Sequence, residues 1–235
     1  MAAAAKNRSV FAVIISIVVV IAVAVVAVLV YMMNKAATEP AAAPTSANGE
    51  TAAVVINEDT GAIEIGKGEK TVTEYIDFLC PICNMAHAAY DDTLSELIAK
   101  DEITLEIVPT NLLSGRTTTD YSTRSASAGY CVAENDPDAF YPFMDVLFDE
   151  QPAEGSAGLT NEELVKLAKK AGAKNSDDCI TDEKYGDFAA EQTEKMPIMP
   201  GATGRATPTI LVNGEFVNVA PTGFDAENDL IANLG

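Results

Sequence analysis

Two cysteines separated by two residues are the part of this sequence with the clearest chemistry. Cys80 and Cys83 enclose the dipeptide Pro-Ile, follow an apolar, β-branched run at 71–78 and precede a helix-like run at 84–100. This order predicts that Cys80 lies at the N-terminus of a helix, where unpaired N–H groups and the helix dipole stabilise a thiolate. The second thiol, one turn inside the helix, can then close a disulfide or release a mixed disulfide.

Half of a Cys₄ zinc site and a purely structural bridge are the two other uses of such a pair. A zinc site needs two further ligands at close spacing. The remaining candidates, Cys131, Cys179 and His87, are distant in sequence and form no second C-x-x-C pair. His87 follows Cys80 by about two helical turns, or ~10 Å, so we expect an ordinary surface or packing histidine. The strand before the cysteine pair and the helix after it favour redox chemistry.

The N-terminal segment predicts a membrane anchor. Lys6 and Arg8 precede an almost wholly aliphatic stretch at 10–30, which at about 1.5 Å per residue spans a hydrocarbon core of roughly 30 Å. A cleavable signal peptide is the competing interpretation, but its apolar region usually has only about 7–15 residues. We therefore expect a cytoplasmic N-terminus at 1–9 and an uncleaved, single-pass transmembrane anchor at 10–33, with the rest of the chain extracytoplasmic.

Charge and composition divide the remainder of the chain. The residues after position 35 carry twelve basic and thirty-five acidic side chains. So acidic a surface disfavours nucleic acid and anionic lipid headgroups as partners, and it is typical of a well-hydrated outer surface. Residues 34–53, rich in Ala, Pro, Thr and Ser, predict a flexible linker. One domain follows at 54–235.

An α/β layer is predicted for the first half of this domain. Two short apolar runs around a Gly-containing turn predict a small hairpin, and a strand–helix–strand alternation then predicts a parallel crossover. The predicted strands are at 54–56, 62–66, 71–78 and 103–109, and the predicted helix is at 84–99.

A helical block then interrupts the layer at 111–196. Its predicted helices are at 121–134, 139–150, 164–171 and 181–195. A capping box at 160–163 precedes the third of them. The block is too long for a simple connection, so it predicts an inserted helical subdomain. Asn213-Gly214 between two apolar runs predicts a second hairpin, and an amphipathic helix is expected after Asp225.

Glu74 is the unusual member of the strand at 71–78. The strand alternation places it on one face with Val72, Ile76 and Phe78. If it is buried beneath the helix that follows, desolvation raises its pKa and lets it relay protons to the inner thiol. A solvated glutamate near a strand end is the alternative, and the residues alone leave both open.

Several motifs in order resemble one known family. The run Phe78-Leu79-Cys80-Pro81-Ile82-Cys83, the late Thr207-Pro208-Thr209 and the helical block between them resemble the DsbA-like thiol–disulfide oxidoreductases. These are thioredoxin-fold proteins of the bacterial cell envelope with a helical insertion, and the resemblance covers about 54–235. It implies an α/β, thioredoxin-like fold with the inserted helical subdomain, here preceded by one transmembrane helix. It implies no bound cofactor and no metal.

The resemblance also implies roles for five residues. Cys80 matches the nucleophilic cysteine and Cys83 the resolving one. Pro208 matches the cis-proline that faces the disulfide, and Thr207 the residue whose backbone pairs with bound peptide. Glu74 falls where the family often keeps a buried acidic residue, which favours its functional interpretation.

Two further cysteines remain in the helical block. Outside the cell, leftover cysteines such as Cys131 and Cys179 usually pair, and similar secreted members of the family carry such a structural bridge. A bridge here would stabilise the fold by roughly 4 kcal/mol in the chain-entropy model. A second redox relay is the alternative.

An oxidase that introduces disulfides into secreted proteins is the function that the resemblance implies. Its partners would be unfolded or partly folded secreted proteins and a quinone-linked membrane reoxidase. One residue departs from the pattern: many family oxidases carry histidine where this chain has Ile82, which leaves the strength of oxidation open. The rivals are a reductase or isomerase, for example in cytochrome maturation, a thiol-based copper or zinc carrier, and a non-catalytic binding module.

Overall fold

The computed structural model describes residues 3–36, 43–44, 54–219 and 223–235. The chain forms two compact units, residues 1–40 and residues 41–235. Most of the predicted linker at 34–53 lies outside the described residues, as do the first two residues of the predicted cytoplasmic segment.

The described residues of the first unit form one helix, α1 (Ala3–Ala36). Its sequence contains neither glycine nor proline, so no residue breaks the run of backbone hydrogen bonds. Across the residues that the structure describes, no helix is both long enough and apolar enough to cross a membrane. The predicted transmembrane anchor at 10–33 is therefore not confirmed.

The second unit is built on a six-stranded sheet with the order β1-β2-β4-β3-β5-β6. The strands are β1 (Val54–Ile56), β2 (Ile63–Gly66), β3 (Lys70–Ile76), β4 (Ile103–Pro109), β5 (Thr209–Val212) and β6 (Glu215–Phe216). Only the β3–β4 pair is parallel among these strands, and helix α2 (Pro81–Ala99) connects its two members. The predicted first hairpin and the predicted crossover are confirmed.

Strand β3 lies near the middle of the sheet and leads directly into α2. Its buried positions alternate, with Val72, Glu74 and Ile76 on the covered face. Glu74 pairs in register with Ile107 of β4 and Ile210 of β5. Glu74 therefore lies among apolar residues of the sheet, on the face that the strand alternation predicts.

The helical block consists of five α-helices between β4 and β5, with one 3-10 turn (Pro137–Ala139) before the second of them. They are α3 (Tyr121–Asn135), α4 (Phe140–Asp149), α5 (Asn161–Lys170), α6 (Asp177–Thr181) and α7 (Gly186–Lys195). The predicted capping box is present: Thr160 accepts from the N–H of Glu163, and the Glu163 carboxylate accepts from the N–H of Thr160. Helix α3 lies against the residues before α2, since a Cβ at Gly129 would be 3.4 Å from the Phe78 ring.

One helix of the block differs from the prediction. The run at 181–195 is not continuous, because α6 ends at Thr181 and α7 begins at Gly186. Glu183 takes a positive φ of 50° between them. The N–H of Lys184 donates to the carbonyl of Cys179, which closes the C-terminal turn of α6.

The chain ends with the second predicted hairpin and a short helical turn. Asn213 and Gly214 both have positive φ, at 51° and 82°, as a tight two-residue turn between β5 and β6 requires. The amphipathic α-helix expected after Asp225 is instead a π-helical turn, Glu227–Ile231, followed by α8 (Ala232–Leu234). Tyr90 of α2 donates to the Asp229 carboxylate at 2.6 Å and holds this turn against the domain.

Candidate active site

Cys80 occupies the N-cap position of α2, as the sequence predicts. The backbone turns after β3, and the N–H of Cys80 donates to the carbonyl of Asp77 at 2.9 Å. Pro81 then occupies the first turn of the helix, where a missing N–H is tolerated. The Sγ of Cys80 accepts from the N–H of Cys83 at 3.4 Å, so the thiol itself caps the helix.

The surroundings of Cys80 favour its thiolate and lower its pKa to about 6. A hydrogen bond from the Cys83 thiol has the largest effect, and burial acts in the opposite direction. The side chain of Thr207 and the N–H groups of Cys83 and Ile82 lower the pKa further. Ile82 thus contributes through its backbone, although its side chain can neither donate a hydrogen bond nor carry a charge.

Cys83 has the opposite character. Burial raises its pKa well above the ordinary value, and the neighbouring Cys80 raises it further. Asp77 acts in both directions, because its N–H lowers this pKa and its charge raises it. Only 1% of Cys83 is exposed. At neutral pH the outer sulfur is therefore a thiolate and the inner sulfur a thiol. This difference suits a pair in which the outer sulfur exchanges with substrate and the inner sulfur resolves.

Thr207, the residue before Pro208, faces the outer sulfur. The Thr207–Pro208 peptide bond is cis, and the carbonyl of Thr207 lies 3.3 Å from Cys80 Sγ. A cleft of about 430 Å³ opens beside these groups. It is lined by Cys80, Pro81, Ile82, Leu112, Leu113, Arg116, Glu154, Arg205, Ala206 and Thr207.

Glu74 is buried, which decides one of the alternatives that the sequence leaves open. It is 5% exposed, and burial raises its pKa to about 7, opposed by the charge of His87. Its Oε1 atom has no hydrogen-bond partner among the described residues. The charge of Glu74 also raises the pKa of Tyr90 and Tyr141, after the larger effect of burial. Proton relay from Glu74 to Cys83 stays a prediction.

Asp77 is the acidic residue that sequence analysis missed. It is fully buried, and its carboxylate accepts from the N–H of Leu79 at 2.9 Å, the N–H of Leu113 at 2.8 Å and the hydroxyl of Ser122 at 2.9 Å. Burial raises the pKa of Asp77 to about 6 against these three hydrogen bonds. The sequence did carry one indication of a buried carboxylate here, because Asp77 interrupts the otherwise apolar run at 75–79.

Gln151 is a second residue that the sequence did not indicate. Its Nε2 donates to the carbonyls of Phe78 at 2.8 Å and Cys80 at 3.1 Å. Asn84 of α2 donates to the carbonyl of Phe148 at 2.8 Å. These bonds attach the N-terminus of α2 to the C-terminus of α4, so the helical block supports the thiol pair from one side.

The two remaining cysteines form a disulfide. Cys131 of α3 and Cys179 of α6 are joined with their Cα atoms 5.6 Å apart. The bridge that the resemblance implies is thus present, whereas Cys80 and Cys83 are free thiols.

His87 lies on the outer part of α2 and pairs with Asp145 of α4. Its Nε2 is 2.9 Å from Asp145 Oδ1, and its ring lies 5.0 Å from that of Phe148. Burial disfavours the charged imidazole, but Asp145, Asp91 and Glu74 together raise its pKa. His87, Asp91 and Asp145 form the one group of three potential metal ligands in the described ranges, and neither thiol belongs to it.

Comparison with known proteins agrees with this geometry. A family model for thioredoxin matches residues 60–228. The solved structure of reduced DsbA from Mycobacterium tuberculosis is 27% identical, with a TM-score of 0.59, over 77% of this chain and 84% of that one. DsbG from the same organism is 24% identical, with a TM-score of 0.60, over 83% and 92% of the two chains. MdbA from Corynebacterium matruchotii is 22% identical, with a TM-score of 0.57, over 80% and 92%. The last two likenesses establish the fold alone.

One curated relative is much longer than this chain. The serine/threonine-protein kinase PknE of Mycobacterium tuberculosis is 28% identical over 155 residues, which are 63% of this chain. The chain spans about a quarter of the length of that relative.

Proposed function

We propose, on the premise that the chain belongs to the thioredoxin family and is a DsbA-like thiol–disulfide oxidoreductase, that it acts as an oxidase. It introduces disulfides into secreted proteins through Cys80 and Cys83. The opposed character of the two thiols supports this proposal best: the pKa of Cys80 is lowered to about 6, while that of Cys83 is raised. A stabilised thiolate is a good leaving group, so a disulfide to Cys80 is readily attacked and readily reduced.

The cycle transfers two electrons from substrate to protein. A substrate thiolate attacks Cys80 Sγ of the oxidised pair, the Cys80–Cys83 bond breaks, and Cys83 leaves and takes up a proton. A second substrate thiolate then attacks the substrate sulfur of the mixed disulfide. The substrate disulfide forms, and Cys80 leaves as the thiolate that the helix N-terminus and Thr207 stabilise.

The cleft beside Cys80 is consistent with a polypeptide substrate. Leu112, Leu113 and Ile82 give it apolar walls. Arg116 and Arg205 add polar groups, and each is paired with a carboxylate, Arg116 with Glu154 and Arg205 with Glu194. The Thr207 carbonyl lies beside the reacting sulfur, where the main chain of a bound peptide would approach.

Trapping the mixed disulfide tests the proposal. A Cys83→Ser variant whose Cys80 is first joined to glutathione in a mixed disulfide cannot expel that glutathione through Cys83. A thiolate of a reduced, unfolded secreted protein such as ribonuclease A is expected to attack Cys80 Sγ, release glutathione and leave a covalent adduct that an acid quench preserves. The oxidised parent protein is expected to form disulfides in that substrate. Cys80→Ser is the matched control and should do neither. A parent protein that leaves the reduced substrate unoxidised, while the Cys83→Ser variant forms no adduct, would contradict the proposal.

A reductase or isomerase is the second candidate. Ile82 favours it, because its side chain adds nothing to thiolate stabilisation beyond its backbone N–H. A protein that rearranges a scrambled, fully oxidised substrate faster than it oxidises a reduced one would support this second candidate. A faster reaction with the reduced substrate supports the oxidase.

The proposed location is the outer face of the cell membrane. The apolar run at 10–30 supports a tether, and the Cys131–Cys179 disulfide is typical of an oxidising compartment. A tether would raise the local concentration of the quinone-linked reoxidase that the resemblance implies. The full-length protein is expected to stay in membranes after alkaline extraction and to be digested by external protease in intact cells. Release into the soluble fraction would contradict a tether.

A further inference from the structure

Asp77 has a position and a set of partners that the proposed cycle does not use. It follows β3 directly, and no part of its side chain is exposed. Three donors from three different segments converge on its two carboxylate oxygens: the N–H of Leu79, the N–H of Leu113 and the hydroxyl of Ser122. A carboxylate accepts all three hydrogen bonds, whereas a protonated acid or an amide would direct a donor at one of them.

The three segments are the ones that surround the thiol pair. Leu79 belongs to the turn before Cys80, Leu113 lines the cleft, and Ser122 lies in the first turn of α3. The main chain of Asp77 also holds Cys80, whose N–H donates to the Asp77 carbonyl. One buried side chain thus fixes the turn before the helix, a wall of the cleft and the helical block.

Asp77 also lies against the inner sulfur. The N–H of Asp77 is hydrogen-bonded to Cys83 and lowers the pKa of this thiol, whereas the negative charge of the Asp77 side chain raises it. The titratable groups that face Asp77 are Cys83 from α2, Asp120 from the residue before α3, and Tyr121 from α3. Asp120 is of the same sign, so no facing group neutralises the Asp77 carboxylate.

We propose that Asp77 is a positioning residue for the thiol pair, whose buried carboxylate holds the three segments around the pair in place and adds to the burial that keeps Cys83 in the neutral thiol form. In the mixed disulfide, a Cys83 thiolate would attack Cys80 Sγ, re-form the Cys80–Cys83 bond and expel the substrate as a thiolate. A neutral Cys83 slows this reversal, because only the thiolate is the nucleophile. The mixed disulfide then persists until the second substrate thiol attacks. The longer lifetime of the mixed disulfide matters only if the proposed function holds. The effect of Asp77 on the titration of Cys83 does not depend on that function.

The direct test is a titration of Cys83 in a Cys80→Ser background, where Cys83 is the one free cysteine because Cys131 and Cys179 are paired. In the full-length protein, the ultraviolet absorbance of the thiolate is followed against pH. Asp77→Asn is expected to lower the pKa of Cys83 by about one unit, which gives about tenfold more thiolate at a pH below that pKa.

Ser122→Ala is the matched control, because it removes one hydrogen bond to the carboxylate and leaves its charge. The titration of Cys83 is expected to stay where it is in the Cys80→Ser parent. If Asp77→Asn does not fold, Asp77→Ser removes the same charge and leaves room for water to accept the freed N–H groups. The expected shift is the same. An unchanged or raised pKa of Cys83 without the charge, or an equal decrease in Ser122→Ala, would overturn the proposal.

A kinetic measurement gives the second readout. With both active-site cysteines present, Cys80 is first joined to glutathione in a mixed disulfide. The rate at which Cys83 attacks Cys80 and releases the glutathione is then measured. Tenfold more thiolate, offset by the lower nucleophilicity of a less basic sulfur, makes release about threefold faster in Asp77→Asn than in the parent. Release at the parental rate overturns the kinetic consequence. A failure of the parent to oxidise dithiols would instead count against the proposed function and leave the titration of Cys83 decisive for Asp77.

Discussion

Two buried carboxyl groups near the thiol pair differ in the number of hydrogen bonds that they accept. Asp77 receives three hydrogen bonds, whereas the Oε1 atom of Glu74 receives none within the described part of the chain. A buried carboxylate without donors is costly, so Glu74 is protonated over a wider pH range than an exposed glutamate. Glu74 therefore destabilises the folded state wherever the unfolded chain would ionise it.

Glu74→Gln is predicted to stabilise the protein in a pH-dependent way. Below about pH 4.5 the carboxyl is protonated in both states, so the substitution has little electrostatic effect. As the pH rises from 4.5 to about 7, the unfolded state ionises and the folded state resists, so the parent protein loses stability that the Gln variant keeps. The gain in unfolding free energy is expected to be on the order of 3 kcal/mol larger at pH 8 than at pH 4.

Urea unfolding of the full chain at several pH values measures this difference. Glu58→Gln, in the exposed turn between β1 and β2, is the matched control for the loss of one carboxyl group. A Glu74→Gln variant whose added stability is the same at pH 4 and pH 8 would show that the carboxyl is not protonated by burial.

Sequence analysis at this scale identified the residues whose types and spacing are distinctive. Cys80 and Cys83 lie where the strand–cysteine–helix order places them, and the strand alternation predicts that Glu74 faces the core. Asp77 and Gln151 were not predicted, because their importance depends on donors and acceptors far away in sequence. Leu113 and Ser122 meet Asp77 only after α3 packs against the sheet.

The helical block is joined internally by the Cys131–Cys179 disulfide, which connects α3 to α6. Helix α6 has five residues, too few to be stable by itself in water. The bridge closes a loop with a sequence separation of 48, so it restricts the unfolded chain considerably.

Replacing both cysteines with alanine is predicted to lower the unfolding free energy by about 2–5 kcal/mol. The reactivity of Cys80 should change little, since the site is held by α2, Thr207 and Gln151. Urea unfolding and substrate oxidation measure the two effects. Loss of oxidation together with unchanged stability would identify the pair as a second redox relay instead of a structural bridge.

The elements themselves were largely predictable, and their boundaries less so. Apolar alternation, the capping box and the Asn-Gly turn each depend on near neighbours, and all three predictions are confirmed. The break between α6 and α7 and the π-helical turn at 227–231 were missed. Both depend on tertiary contacts: the disulfide holds Cys179 in α6, and Tyr90 binds Asp229.

At the scale of the whole molecule, the domain combines an acidic exterior with a thiol pair beside a partly apolar cleft. The order of three motifs predicted the thioredoxin-like fold. The cysteine pair, the helical block and the Thr-Pro-Thr hairpin follow one another along the chain as they do in the DsbA-like family. The pattern of residues could not predict the direction of electron transfer. That direction depends on the balance between a stabilised Cys80 thiolate and an Ile82 side chain that adds nothing to it.

The reduction potential of the Cys80–Cys83 couple tests the central claim most directly. The full-length protein is equilibrated in glutathione buffers of known potential, and the fraction of free thiol is measured, with Cys83→Ser as the control that cannot form the bond. The lowered pKa of Cys80 stabilises the reduced form, so we predict a potential between about −120 and −180 mV, the range of oxidases and isomerases. A potential near about −270 mV, on the reducing side where thioredoxin lies, would contradict the oxidase assignment and leave the fold unaffected.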